Sequence, residues 1–371
     1  MNNLHGILFA YRSNPNLREL TAPRTTSSVP YGGRYRLIDF MLSNMVNAGV
    51  DDVGLIVHAG YQSLLDHVGS GKDWDLSRKH GGLRILPPFG YAGKKGDGVY
   101  HGRMDALGGV YSYLQKIRQD YVVLAGCDMA LNLPLAEIFE DHLKSGSDIT
   151  AVCTREVRGY PRSSTYFTMG SGGLVRDVSV GPAEPTGCES LEIYIMSKKL
   201  LLSLVDYASA HGISSFSNGI LSPMAGTLQV SPWFYDGYVA RIQTLEGYYS
   251  RSMELLDPKV RSELFSADNP IRTKDRSDPS TYYGPDSKSK NSLIADGCII
   301  EGEVENSILF RGVRVGKNAR VSGCILMQSA EIREGAVLKY AIADKNVLVN
   351  SGRMLMGHAT YPLAIAKNSI I

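Results

Sequence analysis

The feature that most constrains the fold is a six-residue repeat in the C-terminal part of the chain. Apolar residues recur at this spacing at Leu293 and Ile299, and again at Leu309, Val315 and Val321. The series continues with looser steps at Ile332, Val337, Ile342 and Val347. One aliphatic residue for each short strand, with glycine turns between strands, is typical of a parallel β-helix. A β-sandwich of short strands is the alternative, and the regular glycine turns favour the β-helix.

The N-terminal part has a different pattern, in which short apolar segments alternate with amphipathic ones. The apolar segments predict strands at 7–9, 53–57, 121–125, 149–155 and 191–196, and the amphipathic ones predict helices at 39–48, 63–68, 105–117, 135–143 and 198–208. Such alternation implies a mostly parallel sheet with helices on both faces. We therefore predict an α/β domain at 1–260, a polar, turn-rich linker at 261–291 and a β-helix at 292–371.

Composition excludes several classes of function. The formal net charge of the 371 residues is +2, which does not favour binding to nucleic acid or to a membrane surface. We find no apolar run near the ~20 residues that a bilayer requires, and no signal peptide at the N-terminus. The five cysteines have no CxxC spacing, so neither a disulfide framework nor a zinc site is predicted. These features predict a cytoplasmic protein.

Three motifs carry a family resemblance. Residues 29–40 read VPYGGRYRLIDF and follow the first strand, and the β-helix contains SLIADGCIIEG at 292–302 and ENSIL at 305–309. These motifs resemble those of glucose-1-phosphate adenylyltransferases, the nucleotidyltransferases that make ADP-glucose for glycogen and starch. The resemblance runs from Ile7 to about Val349. It implies a Rossmann-like α/β domain with a mostly parallel mixed sheet, followed by a left-handed parallel β-helix.

The resemblance also implies a phosphate-binding loop after the first strand, and here that loop is altered. The family loop is rich in glycine, whereas residues 10–17 read AYRSNPNL and contain none. Backbone amides must approach a phosphate closely to bind it, and Pro15 has no amide proton to donate. A family lysine that contacts phosphate aligns with Thr26, which carries no charge. Loss of ATP binding at this loop is the expectation, and a different mode of nucleotide binding is the alternative.

The family's magnesium site is altered as well. Its first carboxylate matches Asp128, but the second aligns with Arg241 in the segment GYVARIQT at 237–244. We hypothesise that the Arg241 side chain pairs with Asp128 and replaces the ion, so that no metal or other cofactor binds. Asp236 is the alternative source of a second carboxylate. The segment that matches the family's sugar-phosphate contact, at 180–182, keeps its proline but neither of its charged residues.

Other matching positions are retained. Gly102 and Asp105, in the segment GRMDA at 102–106, match the neighbourhood of the base and ribose and, with Asp128, form a predicted remnant of the nucleotide site. Alternatively, Asp105 only caps the following helix. Arg24 and Arg36 match basic positions, some of which bind phosphorylated sugar effectors, and an arginine fork suits a phosphate. An ion-pair role for either arginine is the other interpretation.

Taken with the family resemblance, these changes predict a catalytically degenerate, regulatory subunit of ADP-glucose pyrophosphorylase in glycogen biosynthesis. The resemblance implies a homo- or hetero-tetramer, including mixed assemblies with a catalytic paralogue that this chain would modulate. An active or weakly active adenylyltransferase is one alternative. A sensor that binds a sugar phosphate or nucleotide without turnover is another. Acyl transfer by a solenoid histidine, for which His358 is the candidate, is disfavoured.

Overall fold

A computed structural model describes residues 3–58, 60–88, 100–155 and 164–371. The predicted α/β domain is built on a mixed sheet. In spatial order its main path contains Val175–Val180, Thr165–Met169, Cys188–Ser197, Tyr121–Gly126, Leu4–Phe9, Asp52–Ile56 and Gly82–Leu86. Two further strands, Ile149–Thr154 and Val230–Phe234, extend from Cys188–Ser197.

The first strand, Leu4–Phe9, lies in the interior of this sheet. It pairs in parallel with Asp52–Ile56 on one side and with Tyr121–Gly126 on the other. All six of its residues are buried, because helices cover both faces of a sheet of this type. The carboxyl ends of the first strand and of Tyr121–Gly126 therefore lie side by side. Two-stranded ladders join Met129–Leu131 to Val239–Arg241, and Pro30–Tyr31 to Tyr35–Arg36.

Helices pack on both faces of the sheet, and their ends follow from local capping. The Ser197 side chain accepts the Leu200 N–H at the start of Lys198–His211, and Gly212 ends that helix in the left-handed conformation. The α-helices are Leu37–Asn47, Gln62–Val68, Arg103–Gly109, Tyr111–Lys116, Leu135–Ser145, Lys198–His211, Ser222–Met224, Leu245–Met253 and Pro258–Leu264. Among the described residues, none of the helices has the length and apolarity needed to cross a bilayer.

The C-terminal domain is the predicted left-handed β-helix, with three parallel sheets. Its strands are Tyr282–Tyr283, Lys288–Lys290, Leu293–Ile294, Ile299–Ile300, Glu303–Glu305, Ile308–Leu309, Arg314–Val315, Arg320–Ser322, Ile325–Leu326, Glu331–Ile332, Val337–Lys339, Ala341–Ala343, Leu348–Val349, Met354–Met356 and Leu363–Ile365. Most of the predicted apolar series is buried in the solenoid. Ile300 and Leu338, however, are more deeply buried than the predicted Ile299 and Val337, because each short strand exposes its alternate residue.

The boundaries of the predicted linker need correction. The last helix of the α/β domain continues to Leu264, and Tyr282–Tyr283 already pairs in parallel with Ile299–Ile300. The connector is therefore shorter than 261–291 at both ends, because its C-terminal part forms the first coil of the solenoid.

The two domains pack through one continuous apolar cluster. It combines Tyr248 and Leu255 from the α/β domain with Phe310, Met327 and Ile342 from the solenoid. The Tyr249 hydroxyl adds a 2.7 Å hydrogen bond to the Gly323 carbonyl. A shared core of this kind holds the solenoid beside the carboxyl-end edge of the sheet.

Candidate functional site

A small pocket lies where the carboxyl ends of the first strand and of Tyr121–Gly126 meet. This edge is where parallel α/β sheets bind their ligands. The pocket is lined by Phe9, Ala10, Arg12, Thr26, Ser27, Arg103, Gly126, Cys127 and Asp128. Thr26 and Asp128, which the sequence assigned to one site, are therefore close together. The cavity measures only about 10 Å³.

Asn14 organises the loop after the first strand through hydrogen bonds within the loop and to Gln243. The Asn14 side chain accepts the Asn16 N–H at 3.0 Å and donates to the Gln243 carbonyl at 2.7 Å. The Asn14 carbonyl in turn accepts the Leu17 N–H and the Thr21 hydroxyl. These bonds start the 3₁₀ helix Pro15–Leu20. Loop amides that are committed to a helix cap do not form a cradle for phosphate.

Arg12, Arg103 and Glu192 form a charged cluster at this pocket, which Asp128 also lines. Arg103 donates from Nη2 to the Glu192 carboxylate at 2.6 Å and from Nη1 to the Glu192 carbonyl at 2.8 Å. Arg12 reaches the same carboxylate at 3.7 Å. Burial favours the neutral carboxylic acid, but Arg103, Arg12 and Arg241 outweigh that effect and hold the pKa of Glu192 below its usual value.

The surroundings of Arg103 hold its guanidinium in place. Its Cζ lies 5.0 Å from the centroid of the Phe9 ring and 5.8 Å from that of Tyr194. Gly126 has no Cβ, which leaves space for the neighbouring Asp128 and Arg103 side chains. A Cβ at that position would be 2.9 Å from Asp128 Oδ1 and 3.5 Å from Arg103 Nη2. The Arg103 guanidinium therefore lies beside Gly126 and Asp128 while it is paired with Glu192.

The hypothesis that Arg241 pairs with Asp128 is wrong. Its Nη1 donates to Glu189 Oε1 at 2.6 Å and its Nη2 donates to the Ser190 carbonyl at 2.8 Å, with both side chains buried. Arg241 is opposite Met129 in the two-stranded ladder, and only the backbone of Ile242 bonds to the Asp128 carbonyl. The Arg241 side chain reaches instead to the strand Cys188–Ser197, where Glu189 supplies the carboxylate.

The donor groups around Asp128 do not fit a magnesium ion. Mg²⁺ requires several oxygen ligands in octahedral geometry. Of the two carboxylates near this pocket, however, Glu192 is paired with Arg103, and the cations Arg103 and Arg12 lie near Asp128. Asp236, the alternative ligand, is exposed and pairs with Arg155 at 3.2 Å. Throughout the described part of the chain, no three His, Cys, Asp or Glu side chains are grouped so that they could hold a metal.

The other two residues of the predicted nucleotide remnant have local roles. Gly102 precedes the helix Arg103–Gly109, and its Cα packs so closely on the Ser214 carbonyl that a Cβ would be 2.2 Å from that oxygen. The Asp105 carboxylate accepts the His101 N–H at 3.2 Å. Asp105 lies within the first turn of the helix, whose N-cap is Gly102, so the interpretation of Asp105 as the N-cap is wrong. Neither residue lines the small pocket.

A second, larger cavity lies between the two domains and measures about 450 Å³. Its lining carries six basic side chains, one carboxylate and one histidine: Arg34, Arg36, Lys274, Arg276, Arg311, Lys345, Asp66 and His67. These residues come from the α/β domain, the connector and the solenoid, so only the packed domains form the cavity.

Burial and the crowding of positive charge lower the pKa of individual side chains in this cavity. Burial, followed by the charges of Arg36 and Arg24, lowers the pKa of Lys345 to about 7. Burial also lowers the pKa of Arg36 to about 10, although Asp39 opposes the shift. A bound anion would relieve this repulsion, so the cavity is suited to a phosphate-bearing ligand.

The two predicted effector residues differ in position. Arg36 lines the interdomain cavity, where it donates to the Ser63 carbonyl and, at 3.0 Å, to the Ser63 hydroxyl. Arg24 does not line this cavity. It is buried and pairs with Asp344 of the solenoid at 2.9 Å, so the ion-pair interpretation holds for Arg24.

Sequence reasoning missed most of the charged groups that define the two cavities. The sequence could have singled out Glu192, because it is the single charged residue within the apolar strand segment 191–196. No sequence pattern singles out Arg276, Arg311 or Lys345, because they lie far from Arg36 in the chain and meet it only after the domains pack.

With this geometry established, comparison with known proteins defines the family. The Nucleotidyl transferase family matches residues 13–229, and a GlmU-like, C-terminal hexapeptide family matches residues 281–359. The chain belongs to the nucleotidyltransferase family, in the group that contains glucose-1-phosphate adenylyltransferases and their relatives in glycogen biosynthesis.

Among its relatives, the chain is 35% identical to the "Glycogen biosynthesis protein GlgD" of Bacillus subtilis, over 100% of this chain and 97% of that protein. It is also 35% identical to the GlgD protein of Geobacillus stearothermophilus, over 86% of this chain and 83% of that one. The glucose-1-phosphate adenylyltransferase of the same organism is 33% identical, over 85% of this chain and 82% of the enzyme.

Proposed function

We propose that this chain is a non-catalytic, regulatory subunit of the GlgD type, which acts on a catalytic glucose-1-phosphate adenylyltransferase in glycogen biosynthesis. The size of the pocket at the sheet edge carries the proposal. Pockets for small molecules and cofactors measure roughly 300–1,000 Å³, whereas the cavity beside Asp128 measures about 10 Å³. A cavity of that size does not admit ATP.

Chemistry at the site supports the same proposal. Nucleotidyl transfer needs phosphate oxygens cradled by backbone amides and neutralised by cations, with a metal to hold them. Here the loop contains no glycine, its Asn16 amide is used in a local cap, Thr26 offers no charge, and Glu189 and Glu192 are paired with arginines. We propose that the chain binds no magnesium and uses no other cofactor.

The proposed partner is a catalytic paralogue, joined with this chain in a hetero-tetramer in the cytoplasm; a homo-tetramer of this chain alone is the other assembly that the family resemblance implies. The family resemblance implies the solenoid and the edge of the sheet as the surfaces for assembly. Regulation requires that an effector bind two states of the assembly with different affinity. The interdomain cavity offers a place for an anionic effector, since its walls come from both domains and move apart if the domains separate.

A second candidate function is supported by the same cavity. Six basic side chains around about 450 Å³ would suit a sugar phosphate, and the chain alone would then act as a sensor of that ligand. Stabilisation of the isolated chain by sugar phosphates, without turnover, would favour this candidate.

The test is an assay of pyrophosphate release from ATP, glucose-1-phosphate and Mg²⁺. We expect no turnover by the purified chain and a saturable change in kcat or KM when it is titrated into the catalytic paralogue. Arg241→Asp alone should not produce turnover, because the loop would still lack its glycines and Glu192 would still pair with Arg103 of the pocket. Turnover by the unmodified chain would show instead that it is an adenylyltransferase.

A further inference from the structure

The carboxylate of Glu192 occupies the position in which two arginines would hold an anionic ligand. We propose that Glu192 is a built-in occupant of this site, and that Arg12 and Arg103 bind a phosphate group once that carboxylate is removed. The inference builds on the proposed function, in which the site takes no nucleotide. According to this inference, a single side chain, that of Glu192, keeps an anion out of the site.

The backbone at Glu192 is the first observation. Its φ is 55°, in the left-handed region that residues with a Cβ rarely adopt. The register of the strand Cys188–Ser197 against Ile149–Thr154 shifts between Ser190 and Ile193, so the strand carries an irregularity there. The Ser190 hydroxyl accepts the Glu192 N–H at 3.0 Å and holds the bend. A disfavoured conformation thus directs a carboxylate at the pocket.

The charges at the pocket are the second observation. Arg103 contacts the carboxylate at 2.6 Å, and Arg12 lies 3.7 Å from it with about half of its side chain exposed. Asp128 is the other carboxylate that faces these cations, and the neighbouring Arg241 is neutralised by Glu189. Without Glu192, two arginines would therefore face one carboxylate and leave a net positive charge.

Unused donors are the third observation. Arg103 Nε and the Thr26 hydroxyl are buried and, within the described residues, have no hydrogen-bond partner. Both residues line the pocket. Buried polar atoms normally have partners, so these two remain available to an anion. The side chain of glutamate also contains as many non-hydrogen atoms as an orthophosphate ion, so its removal frees space of matching size.

The test uses the full chain and inorganic phosphate, measured by equilibrium dialysis at neutral pH. Glu192→Gly removes the carboxylate and suits the left-handed backbone, and it is expected to bind one additional equivalent of phosphate relative to the parent. Glu246→Gln is the matched control. It breaks the exposed Arg18–Glu246 pair, at 3.2 Å, and should leave the stoichiometry unchanged.

A second substitution locates the new equivalent. Adding Arg12→Ala to the Glu192→Gly chain should abolish the gain, whereas adding Arg34→Ala, in the interdomain cavity, should leave it intact. If Glu192→Gly does not fold, Glu192→Asn replaces it, since asparagine tolerates the left-handed region without a charge.

Folded variants at position 192 that bind no more phosphate than the parent would overturn the inference. So would a gain that survives Arg12→Ala. A parent chain that binds no phosphate, combined with a clear gain in Glu192→Gly, would count against the proposed anion cavity between the domains. That result would leave the role of Glu192 supported.

Discussion

The buried ion pair between Arg24 and Asp344 joins the two domains, and breaking it should be costly. The Arg24 and Asp344 side chains are 2% and 0% exposed, and their charged groups lie 2.9 Å apart. At an effective dielectric of 20, the attraction at that distance is about 6 kcal/mol. Desolvation of both groups offsets much of this gain, so the net contribution of the pair is small. Removing one partner is different, because the other charge then stays buried and unpaired.

We therefore expect Asp344→Asn to lower the free energy of unfolding by about 3–5 kcal/mol. Urea unfolding followed by circular dichroism measures the change. Arg24→Leu combined with Asp344→Leu should be less destabilising than the sum of the single changes, because no unpaired charge remains. The exposed pair of Arg18 and Glu246 is the control, and Glu246→Gln should cost less than about 1 kcal/mol. An Asp344→Asn loss as small as this control would refute the reasoning.

Two further predictions concern pH and backbone strain. Because the pKa of Lys345 is about 7 in the folded chain and near 10.4 when unfolded, the unfolded state binds more protons between those values. The stability of the ligand-free chain should therefore rise from pH 7 to pH 9, and urea titrations of Lys345→Met should show a smaller rise. Gly187→Ala should cost about 1–3 kcal/mol, since φ is +83° and the new Cβ would be 2.0 Å from the Phe167 carbonyl oxygen. Gly172→Ala, with open space around it, is the control, and equal melting temperatures for the two variants would contradict this prediction.

These predictions depend on side-chain partners that the sequence did not reveal, whereas the architecture could be predicted. The six-residue repeat specifies a solenoid because each coil contacts only its neighbours, so the pattern is local. Likewise, alternating strands and helices specify a parallel sheet whose carboxyl ends meet. The carboxyl end of a parallel strand accounts for the place of Asp128, whereas Thr26 was assigned to the same site only through the family resemblance.

The partners of the arginines were decided by the tertiary structure. An arginine side chain is long enough to reach several neighbouring elements, and its final direction depends on which carboxylate has been buried within reach. Arg241 turns to Glu189 rather than to Asp128, and Arg24 turns to Asp344 in the other domain. Sequence motifs identify the backbone positions of such residues, but not the partners that neutralise them.

The interdomain cavity also shows the difference between what the sequence predicts and what tertiary packing decides. By itself the sequence determined that two domains form, which edge of the sheet carries the site, and that a family loop and a metal carboxylate are missing. Only tertiary packing brought Arg36 of the first domain beside Arg311 and Lys345 of the second. The physical reason is that a repeat or a strand order is encoded by short-range pattern, whereas a charged cavity between domains depends on contacts between residues hundreds of positions apart.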